Sequence, residues 1–250
     1  MITIKTPQEI ARMQEGGRML AKALDVVEAA VRPGVTAMEL DRIAERSIRG
    51  MGGEPAFKGY EGYPATLCVS VNDEVVHAIP REDKILREGD IVGCDLGVRW
   101  KGFCTDMART IPVGKISSEA EQLIRVTRAS LEHAIAQVAP GQHVGDLSFA
   151  VQSFIEPYGY GIVRDLVGHG IGVYLHEDPR IPNFGEAGTG SVLKKGMVIA
   201  IEPMINIGSY RVKSSPDGWT FVTADGSLSA HFEHTIAVTD GGYEVLTRSS

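Results

Sequence analysis

The stretch IVGCDLGVRWKGFCTDMARTIP, residues 91–112, reads as two apolar β-strands joined by a tight turn. The strands are expected at Asp90–Val98 and Phe103–Pro112, with Arg99-Trp-Lys-Gly102 as the turn. Each strand carries one acid where a core strand should be apolar: Asp95 and Asp106. A hairpin centred on residues 100 and 101 sets the two carboxylates directly opposite each other. A turn at 101 and 102 instead makes them diagonal neighbours on the same face. Either register crowds two like charges, which destabilises a sheet, and burial raises that cost. A bound cation removes the conflict; two acids on a solvent-facing edge hairpin are the ordinary alternative.

Moving outward, the approach to this hairpin recurs. Leu86-Arg-Glu-Gly-Asp-Ile-Val-Gly-Cys-Asp95 resembles Leu193-Lys-Lys-Gly-Met-Val-Ile-Ala-Ile-Glu202, 107 residues on. Val31-Arg-Pro-Gly34 with Leu40 resembles Val138-Ala-Pro-Gly141 with Leu147 at the same offset. Two matches in one order and at one spacing indicate related halves, and the period is too long for a solenoid. No linker divides the chain. The expectation is one catalytic domain over residues 1–250, with halves of about 1–113 and 114–250 and a site between them. The repeat aligns one acid, Asp95, with another, Glu202.

Each half begins with helical apolar spacing. Ile10, Met13, Met19, Leu20, Leu24 and Val27 predict a helix from Pro7 to Ala30, capped by Thr6 with Glu9. Thr36 caps a second helix ending near Arg49, before the glycines at 50, 52 and 53. Ser117-Ser118 precede a third helix to about Val138, and a fourth covers Val144 to Ile155. Strand-like runs follow at Ala65–Val71, Gly196–Ile207 and His231–Val238, and residues 183–191 form a Gly-rich loop. Helices then strands, twice over, predict an α+β fold with helices on the outer face of a curved sheet.

The chain is 43% hydrophobic and 23% charged with a net charge of −7, which argues against a global basic field for nucleic acid or membrane. The opening residues MITIKTPQEI lack a signal-peptide core, and no run reaches the roughly 20 apolar residues of a membrane span. Cys68, Cys94 and Cys104 have no CxxC spacing and read as reduced thiols, consistent with a cytoplasmic protein.

Further polar residues interrupt apolar runs. Glu202 lies in MVIAIEPMI, Glu233 in HFEHTIAV, and His169 in GHGIG, where glycines permit close backbone approach. Alone, each has a plain explanation: a strand-end acid, the polar side of an alternating strand, a loop histidine. Together, four carboxylates and one imidazole form a hard, oxygen-rich ligand set. It suits Mn²⁺, Fe²⁺ or Co²⁺ better than a structural Zn²⁺. So many acids indicate a dinuclear site that activates water.

At these residues the sequence resembles the type I methionine aminopeptidases, metallopeptidases of the pita-bread fold. The resemblance runs along CVSVNDEVVHAIP (68–80), GDIVGCDLGV with GFCTDMART, GHGIG with HEDP (168–179), AIEPM (200–204) and SAHFEHTIAVTD (229–240). It implies a pita-bread architecture with a mainly antiparallel curved sheet. It implies Asp95, Asp106, His169, Glu202 and Glu233 as metal ligands. Asp106 and Glu233 would bridge two ions, and Glu202 would also receive the proton of the attacking water. His77 would contact the substrate backbone, and His176 would donate to the scissile carbonyl. Phe57, Tyr60, Tyr63, Cys68, Leu175 and Trp219 would wall a slot for an unbranched thioether side chain. Phe57 stands where relatives often have a smaller residue, and Leu175 where they often have Phe. Asn72 and Ser229 match positions that hold a monovalent cation in some relatives.

The implied activity is removal of N-terminal methionine from peptides and nascent proteins by a monomer in transient contact with the ribosome. His133 and His143 match no such position and read as surface residues. Two rivals stand beside this reading. An Xaa-Pro aminopeptidase or prolidase shares parts of the hairpin motif. A non-catalytic binding protein on the same fold would have lost ligands, whereas all five positions are filled here.

Overall fold

A computed structural model describes residues 2–248. Among the described residues there are four α-helices: α1 (Pro7–Ala30), α2 (Ala37–Gly50), α3 (Ser118–Ile135) and α4 (Val144–Ile155). Thr6 and Thr36 close capping boxes with Glu9 and Glu39, so orphan amides at both helix starts are satisfied. Ser117 caps α3 through the Ala120 amide. Helix α3 stops at Ile135, three residues short of the expected end.

The 91–112 hairpin forms strands Ile91–Trp100 and Phe103–Pro112. Its turn sits at Lys101-Gly102, both with positive φ (48° and 85°), which suits a two-residue hairpin loop. Trp100 therefore pairs with Phe103, and Asp95 opposes Ala108 while Asp106 opposes Gly97. The acids are diagonal neighbours, not directly opposed.

Helices α1 and α2 pack on this hairpin and its neighbour Leu67–Val71, burying Leu20, Leu24, Leu40, Ile48, Leu67 and Leu96. In the second half, α3 and α4 cover Val198–Ile201, Met204–Asn206 and His234–Thr239 over a separate apolar core. Every paired strand among the described residues is antiparallel.

The repeat is visible in hydrogen bonds. In the first half the Gly34 amide donates to Leu86, Leu86 to Val35, and Ala37 to Lys84. In the second, Gly141 donates to Leu193, Leu193 to Gln142, and Val144 to Ser191, each 107 residues on. The isolated bridges Thr36–Ile85 and His143–Val192 obey the same offset.

Two expected strands are broken. Gly196–Ile207 divides into Val198–Ile201 and Met204–Asn206, and His231–Val238 becomes Ser229–His231 and His234–Thr239. Glu202 and Glu233 lie at these breaks. Pro203 has no amide to continue the first ladder, so the chain passes from one sheet to another.

The halves are stitched where Phe103–Pro112 meets residues 231–235. Asp106 N donates to Thr235 Oγ1 at 2.9 Å, and that hydroxyl donates back to the Asp106 carbonyl at 2.8 Å. Thr110 Oγ1 donates to the His231 carbonyl and accepts from its amide. Glu233 N donates to the Ala108 carbonyl at 3.0 Å. The three cysteines are buried and free, and no described helix is long and apolar enough to cross a membrane.

Candidate metal centre and its pocket

The seam between halves delivers the acids to one place. Asp95 and Asp106 come from adjacent strands of the first half, Glu202 and Glu233 from the two strand breaks of the second. Asp95, Asp106, His169 and Glu233 are all buried. One ligand atom each from Asp106, His169 and Glu233 lies within 4.8 Å of the others. Glu202 joins them, with Oε1 3.5 Å from His169 Nε2.

His169 stands on a three-residue strand, Gly168–Gly170, whose glycines are forced by backbone crowding. A Cβ at Gly168 would lie 2.4 Å from the Ala200 carbonyl, and one at Gly170 2.0 Å from that of Asp178. The ring's Nδ1 faces the Gly170 carbonyl at 2.8 Å. A proton there leaves the Nε2 lone pair directed at the carboxylates, the orientation a metal-ligating histidine needs.

Burial dominates the electrostatics. It pushes the carboxyl groups of Asp95, Asp106, Glu202 and Glu233 upward, and mutual repulsion adds to this for Asp106, Glu202 and Glu233. Burial holds His169 down at about 3 and His77 at about 4, so both rings are neutral near pH 7. No Lys or Arg is among the described residues lining this cavity. Asp95 Oδ1 and Glu233 Oε1 are buried with no hydrogen-bond partner. Orphaned acceptors, clustered negative charge and one oriented imidazole fit divalent cations.

The acids form the floor of a cavity of about 270 Å³. All six pocket positions, Phe57, Tyr60, Tyr63, Cys68, Leu175 and Trp219, line it, as do His77 and His176. Tyr63 and Trp219 meet edge to face at 5.2 Å. Phe57 backs onto Gly97, where an added Cβ would lie 2.6 Å from its ring. His176 packs edge-on against His169 at 4.4 Å, and its Nδ1 lies 3.0 Å from the Tyr60 hydroxyl. His77 adopts φ +59° and rests edge-on against Phe221. Left-handed backbone at a non-glycine residue costs roughly 1–3 kcal/mol and concentrates at functional sites. A groove of about 700 Å³ continues from His77, His169, His176 and Glu202 past Asp165, Tyr174 and Arg180.

The chain matches the family model "Metallopeptidase family M24" over residues 11–240. The chain belongs to metallopeptidase family M24. M24 membership implies divalent-metal binding, and Asp106, His169 and Glu233 form a group that could hold such an ion. Among M24 relatives, the methionine aminopeptidase of Clostridium perfringens is 51% identical over 99% of both chains. Methionine aminopeptidase 1 of Bacillus subtilis is 46% identical over 99% of this chain and 100% of its own. A crystal structure of methionine aminopeptidase from Thermotoga maritima superposes with a TM-score of 0.98 at 48% identity, covering both chains fully. A prolidase from Pyrococcus horikoshii gives a TM-score of 0.80 at 25% identity, covering 99% of this chain but 64% of that one. These likenesses bear out the pita-bread α+β expectation.

Asn72 and Ser229 lie outside the pocket but touch each other: the Ser229 amide donates to the Asn72 carbonyl at 2.9 Å. The Ser229 hydroxyl is buried without a partner. His133 is exposed and stacks on Phe154, while His143 is half-buried at the start of α4. Sequence reading missed His231, which is buried with Nε2 3.7 Å from Glu202 Oε2. Its position two residues before Glu233, on a β-run, was the available signal.

Proposed function

We propose that this chain is a methionine aminopeptidase that removes N-terminal methionine from peptides and nascent proteins. The observation that carries the reading is the junction of two features in one cavity: buried acids with His169 on the floor, and an apolar, largely aromatic wall. Relatives named methionine aminopeptidase match over the whole chain, which supports it.

In this reading Asp95, Asp106, His169, Glu202 and Glu233 would hold the divalent ions. The ions, when bound, lower the pKa of a water and polarise the first carbonyl. Glu202 accepts the proton of the attacking water and passes it to the departing amine. A Tyr60 hydroxyl donating to His176 Nδ1 would leave Nε2–H to donate to the developing oxyanion. His77, neutral and fixed by its backbone, hydrogen-bonds the substrate main chain. Phe57, Tyr60, Tyr63, Cys68, Leu175 and Trp219 close on the methionine side chain and exclude water. Small second residues then fit best at the entrance to the groove.

The finer features belong to the same proposal. Mn²⁺, Fe²⁺ or Co²⁺ are the ions the oxygen-rich set favours. A monovalent cation near Asn72 and Ser229 would use the unpartnered Ser229 hydroxyl. The chain acts as one catalytic domain over residues 1–250, with halves of about 1–113 and 114–250. It is a cytoplasmic monomer that meets its substrates at the ribosome. Gel filtration and co-sedimentation with ribosomes test the last two points.

Activity on Met-Ala-Ser against an X-Pro peptide, with and without chelator, tests the function. Cleavage of the first alone, abolished by chelator, is expected. Cleavage of the X-Pro peptide alone would favour the prolidase reading, and absence of metal binding the non-catalytic one.

A further inference from the structure

Glu202 is flanked on both carboxylate oxygens by imidazole nitrogens. His169 Nε2 lies 3.5 Å from Oε1, and His231 Nε2 lies 3.7 Å from Oε2. The first imidazole is a proposed metal ligand, whereas the ligand set makes no use of the second. His231 is 3% exposed, and its Nε2 is a buried polar atom without any hydrogen-bond partner. A buried, unpaired ring nitrogen is costly, so its place beside Glu202 calls for a physical reason.

The backbone fixes this arrangement. His231 and Met204 are register partners on antiparallel strands, and Met204 is two residues beyond Glu202. The Phe232 amide donates to the Pro203 carbonyl at 3.4 Å, strapping the Glu202 break to the Glu233 break. The Thr110 hydroxyl clamps the His231 amide at 2.8 Å and its carbonyl at 2.9 Å. The ring is therefore held where a small turn about its side-chain torsions closes 3.7 Å to a hydrogen bond. Electrostatics selects the tautomer: a bare Nε2 would set its lone pair against a carboxylate oxygen, whereas Nε2–H points a donor at it.

We propose that His231 is a positioning residue for Glu202, its Nε2–H donating to Oε2 and holding the carboxylate in one orientation. Oε1 is then left on the His169 side, toward the proposed metal ligands. Without this donor Glu202 rotates among several orientations and meets the attacking water productively only part of the time. The inference rests on the reading of Glu202 as proton acceptor, yet the hydrogen bond itself can be observed apart from activity.

Two variants and one spectrum test it. His231→Gln keeps an N–H donor of similar reach, and His231→Leu fills space without one. In the metal-reconstituted enzyme acting on Met-Ala-Ser, the Leu variant should lose kcat about 10–100-fold, the loss expected for one hydrogen bond to a charged group. KM should stay within about threefold, and His231→Gln should recover most of the loss. Mn²⁺ titrated calorimetrically into the metal-free variants should bind with wild-type stoichiometry. In ¹⁵N-histidine-labelled protein, His231 should appear as the Nε2–H tautomer, and its signals should move on Glu202→Ala. Unchanged kcat in the Leu variant overturns the proposal. So does equal loss in both variants with a lowered Tm, or loss of an ion from either. A ring protonated on Nδ1, or indifferent to Glu202→Ala, also overturns it, even if the protein cleaves no methionine peptide.

Discussion

Glu202 carries two duties in this account, ligand and proton acceptor, and its removal should be felt in both. Glu202→Ala is expected to cut turnover of Met-Ala-Ser by at least about 10²-fold, the scale of a lost general base. It should also weaken Mn²⁺ binding in calorimetry, and normal turnover would reject the assignment. His77 separates the duties, since it lines the cavity without belonging to the acid cluster. His77→Ala should lower kcat while leaving ion stoichiometry intact; unchanged kinetics would remove its role. Gly97 tests the pocket wall from behind. A Cβ there would lie 2.6 Å from the Phe57 ring and 3.0 Å from Ala56 Cβ, so the contact between this strand and the pocket wall must shift. Gly97→Ala should raise KM for methionine peptides roughly tenfold, as a methylene's worth of misfit does. An unaltered KM would show that Phe57 does not bound the side-chain site.

At the scale of elements, the centre depends on a seam between two sheets. Thr235 bonds both the amide and the carbonyl of Asp106, and all these atoms are buried. Thr235→Val keeps the shape and strands both groups, at about 1–3 kcal/mol each. The expected outcome is a lower Tm together with weaker ion binding; a change in Tm alone would mean that the seam does not set the ligand geometry. Helices α1 and α2 were legible to within a residue or two because Thr6 and Thr36 cap them and glycines follow the second. The hairpin is legible, but its sequence permits two registers, because positive φ at Lys101 as well as Gly102 decides between them. Glu202 and Glu233 looked like interruptions within strands. They mark strand ends, since apolar residues continue on both sides while the chain changes sheets. Periodicity records burial, not a change of partner. His231 was missed for a related reason: its neighbour across the break comes from another strand pair.

For the molecule as a whole, the duplication places the site. Repeated backbone bonds at an offset of 107 residues build two like halves, and their meeting edge becomes the cavity floor. The segment before α1 ties down this assembly on the second half. Lys5 donates to Glu177 at 2.7 Å with both side chains only 5% exposed, and the Lys5 amide donates to the Gly196 carbonyl. The Lys5 and Thr3 hydrogen bonds hold the Glu177 carboxyl below its usual value despite desolvation. A depressed carboxylate contributes stability above its unfolded pKa, and loses it as pH falls through the folded value. The hydrogen-exchange protection of residues 3–6, measured against the intrinsic rate at each pH, should therefore fall on acidification below about pH 4, the ordinary glutamate range. Lys5→Met should remove that step by loosening the segment at neutral pH as well. A segment equally protected at all pH values would show that the ion pair does not anchor it.

Crystals grown with Mn²⁺ and measured near the manganese absorption edge would show whether the buried side chains between the halves hold ions. Two anomalous peaks are expected on the cavity floor, ringed by Asp95, Asp106, His169, Glu202 and Glu233. Peaks at any other place, or none among these five side chains, would contradict the metal assignment.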